Sequence, residues 1–151
     1  MRFPRLVSIG YEGRTVEQLV EDLNRERVAV LVDVRLTPLS RKPGLSKRRL
    51  AATLADAGIE YVHLKALGNP RHNREPFWQG RVPDGCRFFN ELLESPEPQS
   101  ALTTIAELAA DQTVAVLCFE RDHDRCHRQV VTSRVIDLLP NRAAGDEIVY
   151  A

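Results

Sequence analysis

A chain of 151 residues, 43% hydrophobic and 28% charged, has the size and balance of one globular domain with a core of its own. Basic and acidic residues number 21 each, so no net charge draws the chain to nucleic acid or to an anionic membrane. No apolar run is long enough to span a bilayer, and an odd count of 3 cysteines argues against a secreted disulfide framework.

In chain order, Met1-Arg-Phe-Pro-Arg5 runs into the first apolar segment with no long signal region, so a cytoplasmic protein is expected. Leu6–Ile9, ended by Gly10, reads as a strand. Thr15 with Gln18 makes a capping box for a helix carrying Val16, Leu19, Val20 and Leu23 at helical spacing. Val28–Val34 is nearly continuous and β-branched, as in a strand buried on both faces. Pro38, Pro43 and Gly44 mark a loop. Ser46 caps a helix with Leu50, Ala51, Leu54 and Ala55, which Gly58 ends. Ile59–His63 is a third strand.

From Leu67 to Gly80 the composition is that of a loop without a period, although Phe77 and Trp78 favour an ordered one. Phe88, Phe89, Leu92 and Leu93 predict a short helix that Pro96 and Pro98 break. Leu102 to about Ala110 predicts another. Val114–Phe119 is the fourth strand, Val130 to Leu139 the apolar stripe of a last helix, and Ile148–Tyr150 an edge strand. Strands alternating with helices imply one α/β domain over residues 1–151, a three-layer, Rossmann-like fold with a mostly parallel sheet of 4–5 strands. Ligands of such folds bind outside the carboxyl ends of the strands. That rule sets Gly10-Tyr-Glu-Gly-Arg14, Asp33–Arg41 and Cys118–Arg128 along one rim.

The last of these segments is the richest in chemistry. Within eleven residues it holds Cys118, Glu120, His123, Cys126, His127 and three arginines. With Asp122 or Asp124 as cap, Cys126 is expected in the first turn of the last helix, where the helix dipole, Arg125 and Arg128 favour its thiolate. Cys118 ends an apolar strand, where burial favours the neutral thiol. Glu120 shares its strand face and suits a general base, as His127 suits acid–base work. No metal is expected: the Cys-x7-Cys-His spacing lacks the Cys-x2-Cys knuckle, and the adjacent Cys126 and His127 point apart on a helix. Asp33 and Arg35 share a face of the second strand. Arg14, Arg35, Arg41 and Arg128 suit a phosphate or carboxylate, and Gly10 and Gly13 allow backbone N–H groups to approach it. Asp124 stands where a Cys-x5-Arg phosphatase loop needs its arginine, against simple phosphatase chemistry.

Taken together, Gly-Tyr-Glu-Gly-Arg14, Asp33-Val-Arg35 with Pro38 and Ser40-Arg41, Gly58-Ile-Glu-Tyr61, Leu67-Gly68, Cys118-Phe-Glu120 and Cys126-His-Arg128 resemble the domain-of-unknown-function family 488 over nearly the whole chain. The resemblance implies a small Rossmann-like α/β protein in which Cys118 and Cys126 matter, and it implies no reaction. The expected catalytic set is Cys126, Cys118, Glu120, His127 and Asp33. The expected binding set is Gly10, Tyr11, Glu12, Gly13, Arg14, Arg35, Ser40, Arg41 and Arg128.

The expected function is an enzyme acting on a small anionic, phosphate- or nucleotide-like substrate with a reactive cysteine. One alternative is a nucleic-acid-binding module, using the six basic residues between Arg35 and Arg49 with Tyr11, Phe77 and Trp78 as stacking groups. Another is a thiol redox sensor or adaptor without turnover. The plain alternative is that Cys118, Glu120 and Arg128 only knit the last strand to the last helix. Cofactor and oligomeric state stay open.

Overall fold

The computed structural model describes residues 4–139 and 148–151; the first three residues of the N-terminal segment lie outside them. The elements are β1 (Leu6–Gly10), α1 (Val16–Arg25), β2 (Val30–Asp33), α2 (Lys47–Asp56), β3 (Glu60–His63), α3 (Glu75–Trp78), α4 (Val82–Leu92), α5 (Pro96–Ala109), β4 (Val114–Cys118), α6 (Arg128–Leu138) and β5 (Ile148–Tyr150). The five strands form one parallel sheet in the order β3-β2-β4-β1-β5. Among the described residues no helix is long and apolar enough to cross a membrane.

Strand alternation makes the three layers. Val30, Val32, Val114, Val116 and Cys118 point to one face, where Phe89 of α4, Leu102 and Ile105 of α5, and Val131 and Val135 of α6 cover them. Val7, Ile9, Leu31, Ala115 and Leu117 point to the other, against Leu19 and Leu23 of α1 and Leu50 and Leu54 of α2. These four leucines are fully buried, each worth roughly 1.5–3 kcal/mol of transfer from water. The capping box of Thr15 and Gln18 starts α1.

Two stretches differ from expectation. The short helix does end before Pro96, at Leu92, but the next one starts at Pro96 rather than near Leu102: Pro96 occupies the first position of α5, where its missing N–H has no intrahelical partner to lose, and Pro98 is buried in the same helix. The loop expected between Leu67 and Gly80 instead contains 3₁₀ turns at Lys65–Leu67 and Arg71–Asn73 and the single turn of α3. Side-chain amides hold it rather than a repeating apolar pattern. Asn73 donates to Asn69 Oδ1 at 2.9 Å and to the Gly85 carbonyl at 3.1 Å, and Asn69 donates back to the Asn73 carbonyl.

Candidate functional site

The helices after β1 and β2 leave toward one face of the sheet, whereas α6, after β4, lies on the opposite face. β4 lies between β1 and β2, so the topological switch falls at its carboxyl end. On the β1 side the pairing continues past the strands: Tyr11 and Glu12 donate to the carbonyls of Cys118 and Phe119. On the β2 side the chains part after the Val34-to-Leu117 bond, and a cleft of about 270 Å³ opens there. Arg35–Thr37 and Leu39 form one wall, Cys118–Glu120 the other, and Asn69, Arg74, Phe77 and Trp78 a third. Cys126 and His127 line its floor.

At that floor three side chains converge. His127 Nδ1 lies 3.6 Å from Cys126 Sγ and 3.8 Å from Cys118 Sγ. Its other ring nitrogen is 3.0 Å from the Val34 carbonyl oxygen. A carbonyl only accepts, so Nε2 carries a hydrogen and Nδ1 is the nitrogen that exchanges a proton with the thiols. All three residues are buried. Cys126 Sγ also receives the backbone N–H and the guanidinium of Arg128, each at 3.4 Å. Glu120 closes the trio on the cleft side: Oε2 is 3.4 Å from Cys118 Sγ, and Oε1 accepts from the Trp78 indole at 3.2 Å.

The local fold that achieves this differs from the expected helix turn. Asp122 caps a 3₁₀ turn at His123–Arg125, accepting from the Asp124 N–H at 3.0 Å. That turn consumes the residues before Cys126, so α6 begins at Arg128 and Cys126 has extended backbone, φ −136° and ψ 150°. Adjacent side chains that diverge on a helix here meet at 3.6 Å, which removes the directional argument against a shared metal ion.

The charges are tightly linked. A hydrogen bond from Cys126, the His127 imidazole and Arg128 together outweigh burial and hold Cys118 well below the usual thiol range. Burial and the Cys118 charge push Cys126 well up. Burial opposes charge on His127, but the Cys118 thiolate outweighs it and raises the imidazole. Burial, then the same thiolate, raises Glu120. The two thiols therefore titrate as one unit that shares a single negative charge.

The family model described as "Domain of unknown function DUF488" matches residues 15–135. The chain belongs to the DUF488 family. Comparison with curated proteins and with solved structures gives no match.

In this DUF488 protein most of the arginines expected to bind an anion already have partners. Arg14 pairs with Asp22 at 2.9 Å and donates to the Gly10 carbonyl. Arg35 grips both oxygens of the fully buried Asp33 and donates to the Leu45 carbonyl at 2.7 Å. Asp33 also accepts from the Tyr61 hydroxyl at 2.5 Å, so it is an internal anchor and does not line the cleft. Arg128 spans from Ser8 to Cys126 in the interior. Arg41 is exposed, and the Ser40 carbonyl and amide bond Ser46; neither residue lines the cleft.

The glycine turn is spoken for as well. Tyr11 and Glu12 give their N–H groups to β4 and Arg14 gives its own to Tyr11, while Gly13 supplies the positive φ of 75° that the turn needs. Glu12 receives the Arg121 N–H at 3.0 Å. Of the nine expected binding residues, Tyr11 and Arg35 line the cleft. The cleft's cations outside the expected binding set are Arg74 and Arg125, both on its walls, and Arg125 makes a long 3.8 Å pairing to Asp122. Leu39, Trp78 and Phe119, which are 70, 58 and 40% exposed, also line the cleft. Large aromatics inside a turn-rich segment were the available signal for Trp78. Nothing local marked Arg74.

Proposed function

We propose that this DUF488 protein is an enzyme acting on a small anionic substrate with a flat apolar part, and that Cys118, Cys126 and His127 are its reactive centre. The observation that carries the reading is the tether from His127 Nε2 to the Val34 carbonyl, which leaves Nδ1 facing both sulfurs. A base oriented by a third group and set against a thiol is the arrangement that makes a thiolate at neutral pH. Glu120, with its raised pKa, is the proton-transfer group beside it. Arg74 and Arg125 supply positive charge for the anion, and Leu39, Trp78 and Phe119 supply exposed apolar surface for a ring.

The test is ligand protection. Nucleotides, sugar phosphates, aromatic carboxylates and a short single-stranded oligonucleotide are screened by thermal shift and by slowing of iodoacetamide alkylation at Cys118. A small anion that raises the melting temperature and slows alkylation supports the reading, and Trp78→Ala together with Arg74→Ala removes both effects. Protection by the oligonucleotide alone replaces it with the nucleic-acid module. Protection by nothing, with Cys118 alkylated like an ordinary buried thiol, overturns it.

A second reading has one observation in its favour. The two sulfurs and Nδ1 all lie within 4.8 Å of one another, close enough for a modest shift to join the sulfurs as a reversible disulfide. Mass spectrometry after mild peroxide decides it: a Cys118–Cys126 linkage that dithiothreitol reverses supports a redox switch, and sulfinic acid without linkage removes it.

A further inference from the structure

We propose that Cys118 Sγ, Cys126 Sγ and His127 Nδ1 form a three-ligand zinc site whose fourth place opens into the cleft. The inference rests on the reading of this trio as the reactive centre and names what it holds.

The argument begins with distances. Zinc bound tetrahedrally at about 2.3 Å to sulfur and about 2.0–2.1 Å to nitrogen separates an S and an N ligand by about 3.6 Å. The same geometry separates two sulfurs by about 3.8 Å. Here the two S–N distances are 3.6 and 3.8 Å, and all three donor atoms fall within 4.8 Å of one another. The two S–N edges thus already match a tetrahedral face, and the sulfurs lie within about 1 Å of the separation its third edge needs.

The surroundings are those a metal site needs. The Val34 carbonyl fixes the His127 tautomer so that the Nδ1 lone pair points at the sulfurs, which is the task of an outer partner at a histidine ligand. The two Arg128 N–H groups on Cys126 Sγ offset the charge of a second thiolate. Two thiolates and an imidazole are a soft donor set that suits zinc and discriminates against magnesium and calcium. The three residues are buried yet line the cleft, so an ion has a route in and a water or substrate atom has a place on it.

Glu120 is not one of the three ligand residues. It stands 3.4 Å from Cys118 Sγ, beside the open side. Three protein ligands with an open fourth place mark a catalytic zinc site rather than a closed structural one.

Metal binding removes the thiol protons and draws one lone pair of each sulfur into a bond with the ion. Zinc loading therefore lowers the reactivity of Cys118 toward alkylation. The whole chain, stripped with chelator under reducing conditions, is titrated with Zn²⁺ against a chromophoric competitor and with Co²⁺ in an absorbance cell. The expected result is one ion per chain, a thiolate-to-cobalt charge-transfer band, the visible bands of tetrahedral cobalt, and slower iodoacetamide alkylation of Cys118 once zinc is bound. Cys118→Ser, Cys126→Ser and His127→Gln each weaken zinc by about 100-fold or more, and Cys86→Ser leaves it unchanged. Circular dichroism confirms that each variant is folded, and the wild-type cobalt spectrum decides the question without any variant.

Octahedral cobalt bands with no thiolate band, or zinc affinity indifferent to Cys118→Ser and Cys126→Ser, overturn the proposal. If zinc fails to bind while a small anion still protects Cys118, the metal site falls and the cleft reading stands. If zinc binds as expected while no anion protects, the cleft reading falls and the metal site stands.

Discussion

At the scale of single residues the chemistry reduces to where one proton sits. His127 Nε2 is committed to Val34, so the trio exchanges its proton through Nδ1 and the two sulfurs. The Cys118 pKa is lowered first by Cys126 and then by His127 and Arg128. A lowered thiol pKa means that thiolate is present at a pH where an ordinary cysteine is still protonated. Alkylation of Cys118 in the metal-free protein is therefore expected to reach its plateau at a lower pH than a free thiol. His127→Gln removes the imidazolium charge, and the midpoint of the rate profile moves upward. The measurement is iodoacetamide labelling of Cys118 by peptide mass across pH 5–10. A profile identical in wild type and variant would show that His127 does not set the thiolate. Asp33, by contrast, has given both oxygens to Arg35 and Tyr61. Its replacement by Asn is expected to lower stability, since an unpaired buried arginine costs several kcal/mol, about 3–5 for a broken buried pair.

Between elements, the rim is held by close backbone crossings that only glycine permits. A Cβ on Gly10 would overlap the Glu120 carbonyl oxygen and come within 2.9 Å of Arg121 Cα, so β1 and the segment after β4 touch directly. On Gly68 it would overlap Leu36 Cα and sit 2.7 Å from Leu36 Cβ. Gly10→Ala and Gly68→Ala are each expected to cost at least about 1–3 kcal/mol by overpacking against backbone, which cannot yield as a side-chain tip does. Denaturant melts check both, and a loss below a few tenths of a kcal/mol at either site would refute the crossing. Thr15→Ala, which removes the capping box of α1, is expected to cost about 1 kcal/mol.

These same elements show what sequence pattern reveals and what it hides. The β-branched run of β2, the Thr15 box and the Val130, Val131 and Val135 part of the α6 stripe rest on local pattern and were legible, whereas Leu138 is 47% exposed and Leu139 lies past the helix end. The segment from Lys65 to Trp78 was not legible, because Asn73 reaches across to Gly85 and Trp78 to Glu120, bonds with no sequence period. Pro96 suits the end of one helix and the start of another alike, and only the following turn decides which. For Cys126, the expected cap at Asp122 is real, but it caps a separate 3₁₀ turn. That shift of two residues brings Cys126 and His127 together.

For the molecule as a whole, the sheet order sets both the cleft and a pH response. Because β4 lies between β1 and β2, its following turn must cross the carboxyl end of β1, and there it is pinned. Ser8 of β1 stands 2.6 Å from His123 Nδ1 and accepts from Arg128 Nε at 2.9 Å, and its own hydroxyl hydrogen goes to His123 when the neutral ring carries its hydrogen on Nε2. His123 also packs edge-on against Tyr150 of β5 at 4.8 Å, tying the turn before α6 to two strands. Protonation would take the acceptor from Ser8 and place a second cation near Arg128.

Burial and then Arg128 lower the His123 pKa, with Asp124 and Asp122 opposing. The unfolded chain, with its ordinary histidine, binds the proton more readily, so this residue costs stability as pH falls through the ordinary histidine range near 6.5. His127, whose pKa is raised, acts in the opposite sense: its contribution is present at low pH and is lost as pH rises through the raised value. The two effects mask each other in wild type, so the comparison is with His123→Gln. Between pH 7.5 and 5.5 the wild type is expected to lose stability relative to that variant, and above pH 7.5 the difference between them stays constant. Chemical denaturation of both proteins at each pH measures it. A difference that does not change with pH would mean that His123 keeps an ordinary pKa in the fold and that its contact with Ser8 does not depend on the neutral ring.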